Sequence, residues 1–141
     1  MTIEQTVTTV EGSFTIDAWD QQDRPAREDK PDVGHSWATA RVTKTFGGGL
    51  TGSSTAELML LGTASGARAY CGFEQVSGTV AGRTGTFVLR HAAEADGAGQ
   101  WMTWTVVPGS GTGELADVRG EGQITRHDDG SHTYRLDLTL E

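Results

Sequence analysis

The sequence is poor in the residues that staple, stiffen or anchor a chain. Cys71 is the only cysteine among 141 residues, so no intramolecular disulfide can form and a closed, Cys-based zinc site cannot be built. There are only three prolines, and lysine occurs only as Lys30 and Lys44. With 11 Lys+Arg against 19 Asp+Glu the formal charge is −8, and the arginines are scattered rather than gathered into a stripe. Such a chain repels a phosphate backbone and offers no polybasic patch, so neither nucleic acid nor an anionic membrane surface is an expected partner. No apolar run approaches the roughly 20 residues of a membrane-spanning helix, and Met1 to Val10 is polar and Thr-rich, without the basic and apolar regions of a secretion signal. A cytoplasmic protein is expected, its stability resting on packing and strand pairing.

What the sequence does have is glycine, 20 residues of it, together with many threonines and valines. That is the profile of short strands joined by tight turns. Strand-like runs fall at Gly12–Trp19, Trp37–Phe46, Thr51–Thr63, Ala67–Ala81, Thr84–Ala95, Ala98–Val107, Arg119–His127 and His132–Leu140. Turn signals separate them: Gly47-Gly48-Gly49, Ser65-Gly66, Gly82-Arg83, Asp96-Gly97 and Asp129-Gly130. The expectation is a single all-β domain over residues 1–141, with 1–10 as a flexible lead-in. Its eight antiparallel strands run up and down and close into a barrel, because closure removes exposed edges; a sandwich is the competing architecture. Residues 20–36, with Pro25, Pro31 and many charges, read as a solvated loop or a flap over one barrel mouth, and 108–118 as a Gly-rich bend with one short helical turn. Gly109, Gly111 and Gly113 do not make a phosphate cradle, since no lysine follows and no βαβ unit surrounds them.

Two-residue hairpin loops fix which residues face each other. Loops at Ser65-Gly66, Gly82-Arg83 and Asp96-Gly97 would set Glu57 opposite Glu74, Glu74 opposite His91, Met102 beside His91 and Trp104 beside Leu89. The face so defined carries Met59, Leu61, Val76, Val80, Phe87, Leu89, Met102, Trp104 and Val106, and is the more apolar one, so it should line the interior. Glu57, Glu74 and His91 then form a buried row. Two carboxylates that close cannot both ionise cheaply, and a neighbouring imidazole would share the proton, which is an acid–base constellation. Phe87, Leu89, Met102 and Trp104 would bed an apolar ligand, and Tyr70 would add a phenol donor. A one-residue slip reverses the reading for Glu57 and Glu74, because Leu58, Leu60, Cys71 and Phe73 occupy the opposite phase. If those residues point outward, Leu58, Leu60 and Phe73 are a candidate oligomer patch. No cofactor is called for. One histidine with two carboxylates is a known ligand set for iron or manganese, but no second histidine at ligand spacing supports a metal here. Lys44 would neutralise the carboxylates if it faced inward, a point the triple-glycine turn leaves open. His35, His127 and His132 read as surface residues and Cys71 as a small apolar filler.

Val42-Thr43-Lys44-Thr45-Phe46, Glu74-Gln75-Val76-Ser77-Gly78-Thr79, Gly82 to Leu89 and Trp104 to Leu115 carry a family likeness. From about Gly12 onward the chain resembles the bacterial proteins grouped as domain of unknown function 3224, which look like relatives of the allene-oxide-cyclase and dirigent barrels. The resemblance implies an eight-stranded antiparallel barrel that binds hydrophobic small molecules. It brings no catalytic signature that matches here residue by residue. Three functions therefore compete: an isomerase, cyclase or lyase acting on an apolar metabolite through Glu57, Glu74 and His91; a carrier that merely holds such a molecule; and a barrel filled by its own side chains.

Overall fold

A computed structural model describes residues 6–24 and 34–140. Eight antiparallel strands follow one another around a closed barrel: β1 (Thr8–Arg24), β2 (His35–Gly48), β3 (Leu50–Thr63), β4 (Arg68–Val80), β5 (Arg83–Asp96), β6 (Gly99–Val106), β7 (Arg119–Arg126) and β8 (His132–Thr139). One 3-10 turn, Gly113–Leu115, sits in the expected bend between β6 and β7. The first strand begins at Thr8, inside the segment expected to be a lead-in. The charged stretch is shorter than expected, because Asp20–Arg24 extends β1 and His35-Ser36 opens β2; Pro25 and Pro31 lie outside the described residues.

Strand length divides the barrel into two ends. β1 to β5 are 13 to 17 residues long, whereas β6, β7 and β8 have eight each. β8 pairs with β1 only as far as Phe14↔His132, and β7 meets β6 through Thr105↔Glu121 alone. Past Phe14, β1 has no partner on its β8 side and Thr15 to Arg24 are exposed, so the barrel is open at this end. The other end is plugged. Leu115 and Val118 from the bend pack there with Leu50, Val80, Leu138 and Leu140, all buried, and Arg83 donates to the Leu140 carbonyl at 2.7 Å.

The turns decide which side chains face inward. Between β3 and β4 the loop holds three residues, not two: the Thr63 amide bonds the Ala67 carbonyl at 2.9 Å, and Gly66 closes the loop at φ 94°. That is a turn followed by a left-handed residue, the common three-residue hairpin, and glycine occupies that position without strain. The extra residue shifts β3 by one against β4, so Glu57 pairs with Phe73 and Ala56 with Glu74. Every β3 side chain then changes face. Glu57, Met59 and Leu61 point outward, while Leu58 is buried and Leu60 half-buried inside. Of the expected surface patch only Phe73 is outward.

The next two turns are displaced without that consequence. Ala81-Gly82, both at positive φ, close β4 and β5, and Gly97-Ala98 close β5 and β6, with the Asp96 carboxylate accepting the Ala98 and Gly99 amides at 2.7 and 3.1 Å. Each moves the pairing by two residues, which keeps the faces and changes the neighbours. Glu74 lies opposite Leu89 rather than His91, and His91 opposite Trp104 rather than Met102.

Candidate functional site

The inward side chains form layers, as they do in small barrels. In the plugged half the layers are large: Phe14, Phe46, Val76, Phe87, Leu89, Trp104, Tyr134 and Leu136 make one packed cluster. Toward the open end small inward residues, Ala38, Ala40, Ala56, Gly72 and Ala93, share their layers with larger ones, and Ala40, Val42, Ala56 and Leu58 pack into a second cluster with Leu60 and Tyr70 against it. Between the two clusters the apolar wall is broken by ionisable and polar groups, Lys44, Ser54, Glu74 and His91.

Glu74 is their centre, with no exposed surface at all. Oε1 accepts from Lys44 Nζ at 3.1 Å and Trp104 Nε1 at 3.2 Å, and Oε2 from Ser54 Oγ at 2.6 Å. A buried carboxylate supplied with a counter-charge and two further donors is the arrangement in which burial of charge is tolerated. Lys44 also lies 4.7 Å from the centre of the Phe14 ring and 5.9 Å from that of Trp104, so aromatic faces take up the rest of its charge. Trp104 can lie flat here because β7 offers Gly122 beneath it: a β-carbon there would come within 2.8 Å of the indole.

One layer nearer the opening, His91 is 4% exposed and its Nε2 is 3.0 Å from the Tyr70 hydroxyl. Burial first, then the Lys44 charge, outweighs the attraction of Glu74 and lowers the His91 imidazole to about 4, so at neutral pH the ring is uncharged. Its Nδ1 stands 3.9 Å from Glu74 Oε1, beyond hydrogen-bond length, and has no partner. A neutral ring beside a carboxylate is best served by carrying its proton on Nδ1, with Nε2 accepting from Tyr70. Tyr70 is half-buried, and its phenol is pushed up by burial and by the Glu74 charge, so it stays protonated. Tyr70, His91 and Glu74 thus form a line from the open end to the buried ion pair.

The fates of the residues expected to carry function follow from the register. Glu74, His91, Tyr70 and Trp104 come together. Glu57 does not: it is on the outer surface, bound to Arg41 at 2.6 Å with both side chains largely exposed, and the two-carboxylate arrangement is absent. Phe87 and Leu89 face inward but are sealed in the plugged core, while Met102 is half-buried in the Tyr70 layer. Ser54 has no signal in the sequence, whereas Lys44, whose direction the triple-glycine turn leaves open, faces inward and pairs with Glu74. For Lys44 the signal was present, since Ala38, Ala40, Val42 and Phe46 share its phase while Thr39, Arg41, Thr43 and Thr45 take the other. Among the described residues no group of three His, Cys, Asp or Glu side chains is placed to hold a metal. Concavities border the barrel wall along Ser53, Gln75 and Thr86 and along Glu11, Thr133 and Arg135, and neither is lined by Tyr70, His91 or Glu74. No helix among the described residues is long and apolar enough to cross a membrane.

Comparison with curated proteins finds no match. Among solved structures, the chain is similar to a protein of unknown function from the DUF3224 family of Shewanella oneidensis MR-1. The two are 31% identical with a TM-score of 0.85, over 96% of this chain and 98% of that one. Residues 10–138 match the family described as "Protein of unknown function (DUF3224)", and the chain belongs to that family.

Proposed function

We propose that the open end of this barrel binds a small, largely apolar and uncharged molecule carrying a hydroxyl group. The observation that carries the reading is a half-buried phenol, Tyr70, bonded to the buried His91 at the open end of the inner wall, beyond the large aromatic cluster. Past Phe14, β1 has no partner on its β8 side, which leaves the interior approachable from that end. The ligand is uncharged because the site has no charge to spare: Lys44 and Glu74 satisfy each other, and His91 is neutral. An anion or cation brought here would be desolvated without compensation. With its proton given to His91, the half-buried Tyr70 oxygen accepts from the ligand hydroxyl, with Met102 and Leu60 beside it. A cytoplasmic setting and kinship with allene-oxide-cyclase-like barrels are parts of the same reading.

A catalytic version, an isomerase or cyclase, is favoured by one feature, the line Tyr70–His91–Glu74, along which a proton can be passed to or from a bound molecule. Holding is the better-supported task, since an imidazole lowered to about 4 and a phenol pushed upward are a weak base and a weak acid at neutral pH.

The test is calorimetric titration with matched apolar compounds that differ only in the head group, such as a naphthyl alcohol and the corresponding carboxylate. The alcohol should bind and the carboxylate should not, and Tyr70→Phe should weaken the alcohol by about tenfold, the worth of one hydrogen bond. Equal binding of both compounds, unaffected by Tyr70→Phe, would refute the assignment.

A further inference from the structure

The inner face of β1 past Phe14 carries large side chains that the described residues leave half uncovered. A bulge at Asp17 shifts the β1–β2 register between Ile16 and Ala18, and the Asp17 carboxylate accepts from the Thr15 and Thr45 hydroxyls at 2.9 and 2.6 Å. The extra residue reverses the face of every side chain after it. Without it Ala18 would continue the inward phase of Phe14 and Ile16; with it Trp19, Gln21 and Asp23 lie opposite Val42, Ala40 and Ala38, which are buried on the inner wall. Ile16 and Trp19 thus face inward and are still 40% and 50% exposed, because β8 pairs no further along β1 than Phe14. Trp19 Nε1 donates to Gln21 Oε1 at 2.9 Å, so the indole has its face and not its polar edge to offer.

Trp19 stands across the barrel from Tyr70. A row of paired residues followed from Asp20 on β1 through Glu57, Phe73 and Thr105 returns to β1 at Thr9, so rows descend toward the plugged end. With strands tilted by about 40° and spaced about 4.8 Å apart, the descent is about 3 Å per strand. The row of Trp19 runs through Val42 and Ala56 to Glu74, about 9 Å lower on β4, and the climb along β4 from Glu74 to Tyr70 recovers about 10 Å. β1 and β4 lie nearly opposite each other in the ring of eight strands. Two aromatic side chains therefore enter at one height from facing walls, in a barrel whose interior is just wide enough for side chains or one small ligand.

Building on the function proposed for the open end, we infer that Trp19 is the second wall of the ligand site and that the ligand is a flat aromatic ring bearing the hydroxyl group. The ring lies against the exposed face of the indole, with Ile16 at the next inward position below, and the hydroxyl reaches the Tyr70 oxygen. A narrow gap between two aromatic side chains suits a flat ring better than a thick saturated one, and stacked rings gain attraction beyond the area they bury.

Calorimetric titration with a naphthyl alcohol and its fully saturated decalin counterpart tests this. Burial of apolar surface alone favours the saturated compound, the more hydrophobic of the two. The wild-type chain should instead bind the naphthyl alcohol about fivefold more tightly, the worth of a stacked aromatic pair. Trp19→Leu should abolish that preference with an unchanged melting temperature, Trp19→Phe should keep it, and Tyr70→Phe should weaken both alcohols alike. Binding of both alcohols by the wild-type chain without preference, or a preference that Trp19→Leu leaves intact, would overturn the role of Trp19 and leave the function proposed for the open end standing. Failure of either alcohol to bind at all would overturn the two together. The wild-type preference keeps the test decisive if Trp19→Leu fails to fold.

Discussion

At the scale of single residues, the Lys44–Glu74 pair and His91 dominate. Removing one partner of a buried ion pair leaves the other charge uncompensated, which costs about 3–5 kcal/mol, whereas replacing both with apolar groups avoids that penalty. Glu74→Leu and Lys44→Met should therefore each lower stability by several kcal/mol in chemical denaturation, and the double variant by much less than their sum. Glu57→Gln, on the exposed pair with Arg41, should change it by less than about 1 kcal/mol. His91 sets a pH dependence. Its folded-state value of about 4 lies below the ordinary 6.5, so protonation favours the unfolded chain. The contribution is complete above pH 6.5 and is lost as pH falls toward 4, by up to about 3 kcal/mol. His132 is lowered as well, through burial and the neighbouring Arg126 charge, and adds to the slope in the same direction. Denaturation curves between pH 7 and 4 should show the decline, and His91→Gln should flatten most of it.

At the scale of elements, the hairpin turns determine the chemistry. Ala81 occupies the first position of a two-residue turn at φ 51°, a conformation that costs a residue with a β-carbon about 1 kcal/mol and that asparagine accepts. Ala81→Asn should raise stability by about that amount, measured as a higher denaturation midpoint at constant slope. The turns also explain what was readable in advance. Glycines mark where the chain reverses, but Ser65-Gly66 does not say whether Ala64 belongs to the strand or to the loop. That one residue moved Glu57 out of the interior and brought Leu58 into it. The other two misplaced turns shifted by even steps, so Glu74, His91, Met102 and Trp104 stayed on the inner face.

At the scale of the whole molecule, eight alternating segments with glycine turns were enough to specify the barrel, because an up-and-down meander has few other ways to hide its edges. The inequality between its ends was not readable, since it depends on how far β7 and β8 reach along their neighbours. The interior ion pair was half-readable: Glu74 stood in an apolar phase, as did Lys44, but only closure brings β2 to β4 through β3 and makes them partners. Under the proposed function the polar cluster, with Tyr70 in front of it, is a receptacle for an uncharged, hydroxyl-bearing ligand. Native mass spectrometry is the most direct test, performed on wild-type and Tyr70→Phe protein after exposure to a mixture of neutral and charged apolar compounds. The wild-type chain should carry a neutral compound as added mass, and Tyr70→Phe should largely lose it. Bare polypeptide in both, or charged compounds retained in preference, would contradict the proposed function.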